Sequence, residues 1–307
     1  MSARLPIAAL LAAALALPAT AQPMPPRPGA TRNIVAACPS RDPMKGWADP
    51  APPARIFGNT YYVGTCGITS LLVETSAGLV LLDGGVPEAA PLVLANIRKL
   101  GFSPRAIRWI LVTHEHYDHA GALAAIQRES GARIAAGPFQ GKVLSTGQSD
   151  PNDPQAPLLA KHSIAPLRIA QTMLNYGRLT VGGVDFTPVA TPAHSPGSTS
   201  WTWRDCQGIE CRTIAYADSA TAISADGYRF SDNPKRIAAV HTGLGAIATL
   251  PCDIMITPHP SASDLFERMS GAKPLVQTGA CRAYALASAK RFDERLASEN
   301  TATPPAK

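Results

Sequence analysis

Residues 114–119 read His114-Glu115-His116-Tyr117-Asp118-His119, which places three imidazoles and a metal-competent carboxylate within six positions. The run before them, Ile107-Arg108-Trp109-Ile110-Leu111-Val112, is short and apolar with no helical period, so it predicts a buried strand. Ala120 to Ile126 predicts the opening of a helix. The cluster therefore falls on a strand-to-helix turn, where a rigid scaffold commonly presents functional groups. Neutral imidazole and carboxylate are good donors to Zn²⁺. In an extended turn His114 and His116 point the same way, because side chains alternate with period two. Asp118 and His119 follow the bend and can aim at a second point. Two adjacent metal sites account for this pattern better than one. The whole chain has seven histidines, so three of them here are not the signature of an ordinary polar turn.

The ends of the chain carry a different message. Arg4, the apolar run Ile7 to Leu17, and Ala19-Thr20-Ala21 have the layout of a secretory leader, with cleavage expected after Ala21. The apolar run is too short to span a bilayer as a helix. Residues 22–46, rich in proline at their start, are expected to form a flexible arm, and 299–307 a disordered tail. Between them, 47–298 is long enough for one large domain, and no repeat of 20–50 residues divides it. The formal charge of +6 comes from scattered Lys and Arg with few aromatics, which gives a nucleic-acid surface little support. An exported chain with six cysteines is expected to form disulfides in an oxidising periplasm. Cys206 and Cys211, bracketing a polar turn between strand-like runs, make the easiest local bridge; six cysteines alone allow fifteen pairings.

Two further histidines share the local setting of the cluster. Gly183 to Ala190 alternates like a strand and runs into Thr191-Pro192-Ala193-His194-Ser195-Pro196-Gly197. Asp253 to Thr257 predicts another short strand, followed at once by Pro258-His259-Pro260. A helix is then expected from Ser261, with Asp264 as its capping-box partner. A histidine stiffened by neighbouring prolines has lost backbone freedom, which suits a preorganised ligand. The expected sets are His114, His116 and His194 for one metal, and Asp118, His119 and His259 for the other. Each leaves room for water, as a catalytic zinc requires. A hydroxide bridging two metals ~3.5–4 Å apart is a nucleophile available at neutral pH. His162 and His241 have no such setting and are expected to be structural.

With H-x-H-x-D-H met in full, the chain resembles the metallo-β-lactamase superfamily and, more closely, its subclass B3. The segments that carry the finer resemblance are Gly58 to Thr65, Leu81 to Gly85, His114 to Gly121, Ser195 to Trp201, Tyr216 to Ser219 and Thr257 to Ser263. The resemblance implies an α/β, four-layer αββα sandwich with two Zn²⁺ per chain at one edge. It implies a monomeric, periplasmic hydrolase with no membrane anchor that opens the β-lactam ring of penicillins, cephalosporins and carbapenems and so confers antibiotic resistance. Asp118 would orient the attacking hydroxide. It further implies the bridges Cys38–Cys66, Cys206–Cys211 and Cys252–Cys281. Ser219 and Thr221 would hold the substrate carboxylate, with Gln155 nearby.

Position 218 discriminates within the superfamily. In thioesterase-like members an aspartate there bridges both metals, whereas the B3 pattern leaves it off them; Asp218 as a ligand stays open. A lactonase or thioesterase on the same fold is the alternative function, and a non-enzymatic metal-binding domain is a third, since fold alone does not fix function. Ser231-Asp232-Asn233 and Ser270-Gly271-Ala272-Lys273 imitate serine β-lactamase motifs, but they come in reverse order and lack the K-T-G element.

Overall fold

The computed structural model describes residues 31–301; the expected leader and the proline-rich start of the arm lie outside them. Two sheets form the centre. The first contains β1 (Ala54–Phe57), β2 (Thr60–Tyr62), β3 (Leu71–Thr75), β4 (Gly78–Leu82), β5 (Ile107–Leu111), β6 (Arg133–Ala136) and β7 (Ile169–Thr172) in sequential order. Its first four strands pair antiparallel and the rest parallel. The second contains β8 (Leu179–Val181), β9 (Val184–Ala190), β10 (Thr199–Gln207), β11 (Glu210–Tyr216) and β12 (Ile254–Ile256) in the order β12-β11-β10-β9-β8. Only β11 and β12 run parallel within it.

Side-chain alternation builds the layers. Along β3 and β4, Leu71, Val73, Val80 and Leu82 turn inward to meet Phe186, Trp201, Trp203 and Tyr216 of the second sheet. Leu72, Leu79 and Leu81 turn the other way, onto Val93 and Ile97 of α2 (Ala90–Lys99) and Leu123 and Ile126 of α4 (Leu123–Ser130). The outer face of the second sheet is covered by α7 (Pro234–Ala248) and α9 (Ala280–Thr301), through Val240, Leu244, Ile247, Ala285 and Phe292. The result is an αββα sandwich. The remaining helices, α1 (Thr31–Ala37), α3 (Tyr117–Ala120), α5 (Pro138–Thr146), α6 (Ala156–Leu159) and α8 (Leu265–Ser270), are short and lie at the edges.

Polar bonds lock the seam between the sheets on the side where the cluster sits. Trp201 Nε1 donates to the Val112 carbonyl at 2.9 Å, and Thr199 N to the Thr113 carbonyl at 2.7 Å. The Tyr216 hydroxyl donates to Asp83 Oδ2 at 2.9 Å, and the Thr113 hydroxyl reaches the same oxygen at 2.6 Å. All these groups are buried, so each bond also spares a desolvated polar atom from being left unpaired.

Several expectations are corrected. The first two strands, β1 and β2, are split at Gly58-Asn59. Gly58 has φ +50°, and the buried Asp205 carboxylate takes the Asn59 N–H and the Thr60 hydroxyl. The part of the arm from residue 31 is not loose: α1 lies against α8, Ile34 is buried, and Cys38 is bonded to Cys66. At the other end α9 continues through Thr301, and Glu299 accepts from Ser231 N and Arg295 Nε, both at 2.8 Å. Asp264 does not cap a helix from Ser261. A 3₁₀ turn, Pro260–Ser263, comes first; Asp264 has φ +49°, and its carboxylate meets Lys273 Nζ at 2.7 Å. The bridges Cys38–Cys66, Cys206–Cys211 and Cys252–Cys281 are all formed. No helix among the described residues is long and apolar enough to cross a membrane.

Candidate metal centre and cleft

All six expected donors meet at one end of the sandwich. His114 and His116 follow β5, and Asp118 and His119 lie in α3. His194 comes from the turn between β9 and β10, and His259 from the end of β12. Donor atoms of His114, His116 and His194 lie within 4.8 Å of one another, and so do those of His114, Asp118 and His119. His259 Nε2 lies 3.5 Å from Asp118 Oδ2, and its ring stands 5.3 Å from that of His119.

Each imidazole of the first set is gripped from behind. Asp218 Oδ1 lies 2.8 Å from His114 Nδ1, Asp153 Oδ2 lies 2.9 Å from His116 Nε2, and the Thr221 carbonyl lies 2.7 Å from His194 Nδ1. An acceptor at one ring nitrogen fixes the tautomer and leaves a lone pair on the other. That second nitrogen has no hydrogen-bond partner in buried His114, where it is Nε2. The Nε2 of His119, beside Asp118, is likewise buried without a hydrogen-bond partner. Such orphans are costly in a folded interior, and a cation at this point would satisfy them. The donor set, nitrogen and carboxylate oxygen with no thiolate, suits zinc.

The electrostatics differ between the donors: burial opposes charge on His116, but Asp153, Glu115 and Asp118 raise it above the ordinary histidine value. Burial first, and then the neighbouring imidazoles, hold His114 and His194 well below the usual histidine range, so both keep lone pairs at neutral pH. Burial opposes charge on His119 too, but Asp118 and Asp83 prevail and push it up to about 10. Asp118 is held well below the usual carboxylate range, since His119 and His259 outweigh its burial. At 3.1 Å the His119 Nε2–Asp118 Oδ2 contact is ionic and not aligned as a hydrogen bond. A metal taking both groups would displace the His119 proton.

Above the donors the cleft has two chambers that share Met44, His194, Ile223 and His259. One, of about 360 Å³, is walled by Trp47, Tyr117, Leu158 and His162 and contains Gln155. The other, of about 300 Å³, presents Ser219, Thr221, Thr257 and Ser261 with Arg41 at its side. Ser219 and Thr221 therefore stand together as expected. Gln155 Nε2 approaches His194 Nε2 at 3.3 Å. The imitation motifs around Ser231 and Ser270 are not among the residues lining either chamber. His162, expected to be structural, is exposed and stacks on Tyr117 at 4.5 Å in the cleft wall. Asp153 is the functional neighbour that sequence reasoning missed. The only signal was its place two residues before Gln155, and nothing local links it to His116.

Comparison with known proteins agrees with this geometry. Residues 63–209 match the family described as the metallo-β-lactamase superfamily. The structure is similar to that of the metallo-β-lactamase MIM-1 from Novosphingobium pentaromativorans, with 54% identity, a TM-score of 0.85, and coverage of 87% of this chain and 97% of that one. It is also similar to MEM-A1, a subclass B3 metallo-β-lactamase from a soil metagenome library, at 36% identity, a TM-score of 0.79, and coverage of 83% and 98%. Among curated sequences, the hydroxyacylglutathione hydrolase of Anaeromyxobacter dehalogenans (strain 2CP-C) is 27% identical over 61% of this chain, which spans 58% of that protein's length. The fold and the donor set define a metal-dependent hydrolase of the αββα class. The chain belongs to the metallo-β-lactamase superfamily, within subclass B3.

Proposed function

We propose that this protein is an exported, monomeric, periplasmic dizinc β-lactamase that hydrolyses the ring amide of β-lactam antibiotics. The observation that carries the reading is the convergence of all six donors beneath a cleft with a hydroxyl-lined chamber. His114, His116 and His194 would hold one zinc, and Asp118, His119 and His259 the other. Zinc bound there supplies Lewis acidity toward a carbonyl oxygen and lowers the pKa of water at the site.

The chain's own residues do the rest. Asp218, Asp153 and the Thr221 carbonyl present three imidazoles in fixed tautomers, so little reorganisation accompanies reaction. Asp118 holds a negative charge between His119 and His259 and orients the attacking oxygen. Ser219 and Thr221 hydrogen-bond the substrate carboxylate and hold the ring amide over the donors. Gln155 lies within reach of a bound ligand from the other chamber. Asp218 is engaged by His114 and supports the lactamase reading over the thioesterase-like one.

Steady-state assay of a penicillin, a carbapenem, an acyl-homoserine lactone and a glutathione thioester tests the proposal. Fast turnover of the lactams alone is expected. Preference for the lactone or thioester would overturn it.

A further inference from the structure

His194 stands on a turn that hangs from one buried cation. Arg236, in the first turn of α7, is 8% exposed. Its Nη1 donates to the Pro192 carbonyl at 2.6 Å, and its Nη2 to the Ala193 carbonyl at 2.9 Å. The two carbonyls immediately before His194 are thus held in one planar fork, a geometry that lysine cannot reproduce. Two turns further along, Gly243 lets the helix lie against the same segment. A methyl group there would come within 2.6 Å of Ala193 N and 2.7 Å of Pro192 N.

A guanidinium in such a place needs compensating charge. Burial disfavours its ionised form; Asp153 first, and then Tyr228 and Glu115, favour it. The two carboxylates have their own tasks beside the metal centre. Asp153 grips His116 at 2.9 Å, and Glu115 Oε1 accepts the Gly197 N–H at 3.3 Å, on the other side of His194 from Arg236's carbonyls. Gly197 is needed at that point, since a Cβ would come within 2.2 Å of Glu115 Oε2.

We infer that Arg236 is a positioning residue of the metal centre, setting His194 through the Pro192 and Ala193 carbonyls. One residue on the outer helical layer therefore sets an imidazole of the first set without touching metal or substrate. The inference rests on the metal-site reading above.

The test is zinc affinity, measured on the full mature chain by competition with a chromophoric chelator, beside the melting temperature of the metal-free protein. Arg236→Met should weaken the tighter zinc site by roughly ten- to hundredfold, the range for losing a group that orients a ligand. Arg236→Lys, which keeps the charge and loses the fork, should recover part of that loss. Ile247→Ala removes buried volume about three turns further along the same helix and breaks no bond to the turn; it should lower the melting temperature and leave the zinc Kd unchanged. Parental affinity in Arg236→Met, or an equal loss in Ile247→Ala, would overturn the inference. Should Arg236→Met fail to accumulate as folded protein, unchanged affinity in Arg236→Lys overturns it just as well. A parent chain that takes up no zinc would instead overturn the metal-site reading, and the inference with it.

Discussion

Asp218 Oδ1 accepts the Nδ1–H of His114 across 2.8 Å, with both side chains fully buried. This pairing engages a carboxylate at a position open to metal ligation in holding a proposed ligand, His114. Asp218 Oδ2 has no partner, and burial raises the carboxyl pKa above its ordinary value.

Asp218→Ala should therefore leave two zinc ions per chain and weaken their binding by roughly tenfold to a hundredfold, as for other groups that orient a ligating histidine. Metal content by atomic emission, with Kd by chelator competition, checks this. Complete loss of one ion would show that Asp218 is itself a ligand and would favour the thioesterase-like site.

Metal removal should be decisive for activity. Exhaustive treatment with EDTA should abolish lactam turnover and lower the melting temperature, because ligand binding to the native state stabilises it. Added Zn²⁺ should restore both. Hydrolysis that survives removal would sink the dizinc proposal. Asp118→Ala should reproduce the loss in kcat while retaining the zinc of the other set.

Ser219→Ala and Thr221→Ala should act on binding. A hydrogen bond from a neutral donor to a charged acceptor is worth roughly 1.5–3 kcal/mol, so KM for carboxylate-bearing lactams should rise about ten- to hundredfold with kcat little changed. Thr221→Ala keeps the backbone carbonyl that His194 uses, so its zinc affinity should stay parental. A fall in kcat with constant KM would argue that these hydroxyls do something other than hold the substrate.

The Cys38–Cys66 bridge joins residues 28 apart in sequence and ties α1 and the Met44 lip of the cleft to the body of the domain. Replacing both cysteines by serine should cost about 2–4 kcal/mol, the usual range for a native disulfide. Urea unfolding should show the midpoint fall. An unchanged midpoint would mean that the packing of α1 alone secures the segment.

The proposed metal centre was legible in the sequence because its donor segments sit beside local signals. An apolar run ends just before the cluster that opens with His114, and apolar runs lead into the proline-bounded turns that carry His194 and His259. The four layers were implied by the family resemblance; Leu71-Leu72-Val73 and Leu79-Val80-Leu81-Leu82 are continuous apolar runs, and only the structure divides their side chains between the two sides of the sheet. Groups that act across the fold left no such trace. Asp153 and Arg236 lie in unrelated segments, and only the docking of α7 and the 150–155 loop brings them to His116 and His194. The short helix at 31–37 was hidden by the proline-rich residues ahead of it and by its lack of an amphipathic run long enough to register. Asp264 matched a capping pattern, but the prolines flanking His259 force a 3₁₀ turn first, and the carboxylate finds Lys273 instead.

The donors are divided between the two sheets: His114, His116, Asp118 and His119 follow a strand of the first, and His194 and His259 follow strands of the second. Each proposed set takes donors from both halves of the polypeptide. Zinc held as proposed would be a rivet across the seam, and part of its binding free energy would become cohesion between the halves. A nascent chain reaching a zinc-poor compartment would hold its two halves together less firmly, so scarcity of the ion would expose the protein to proteolysis as well as silence it.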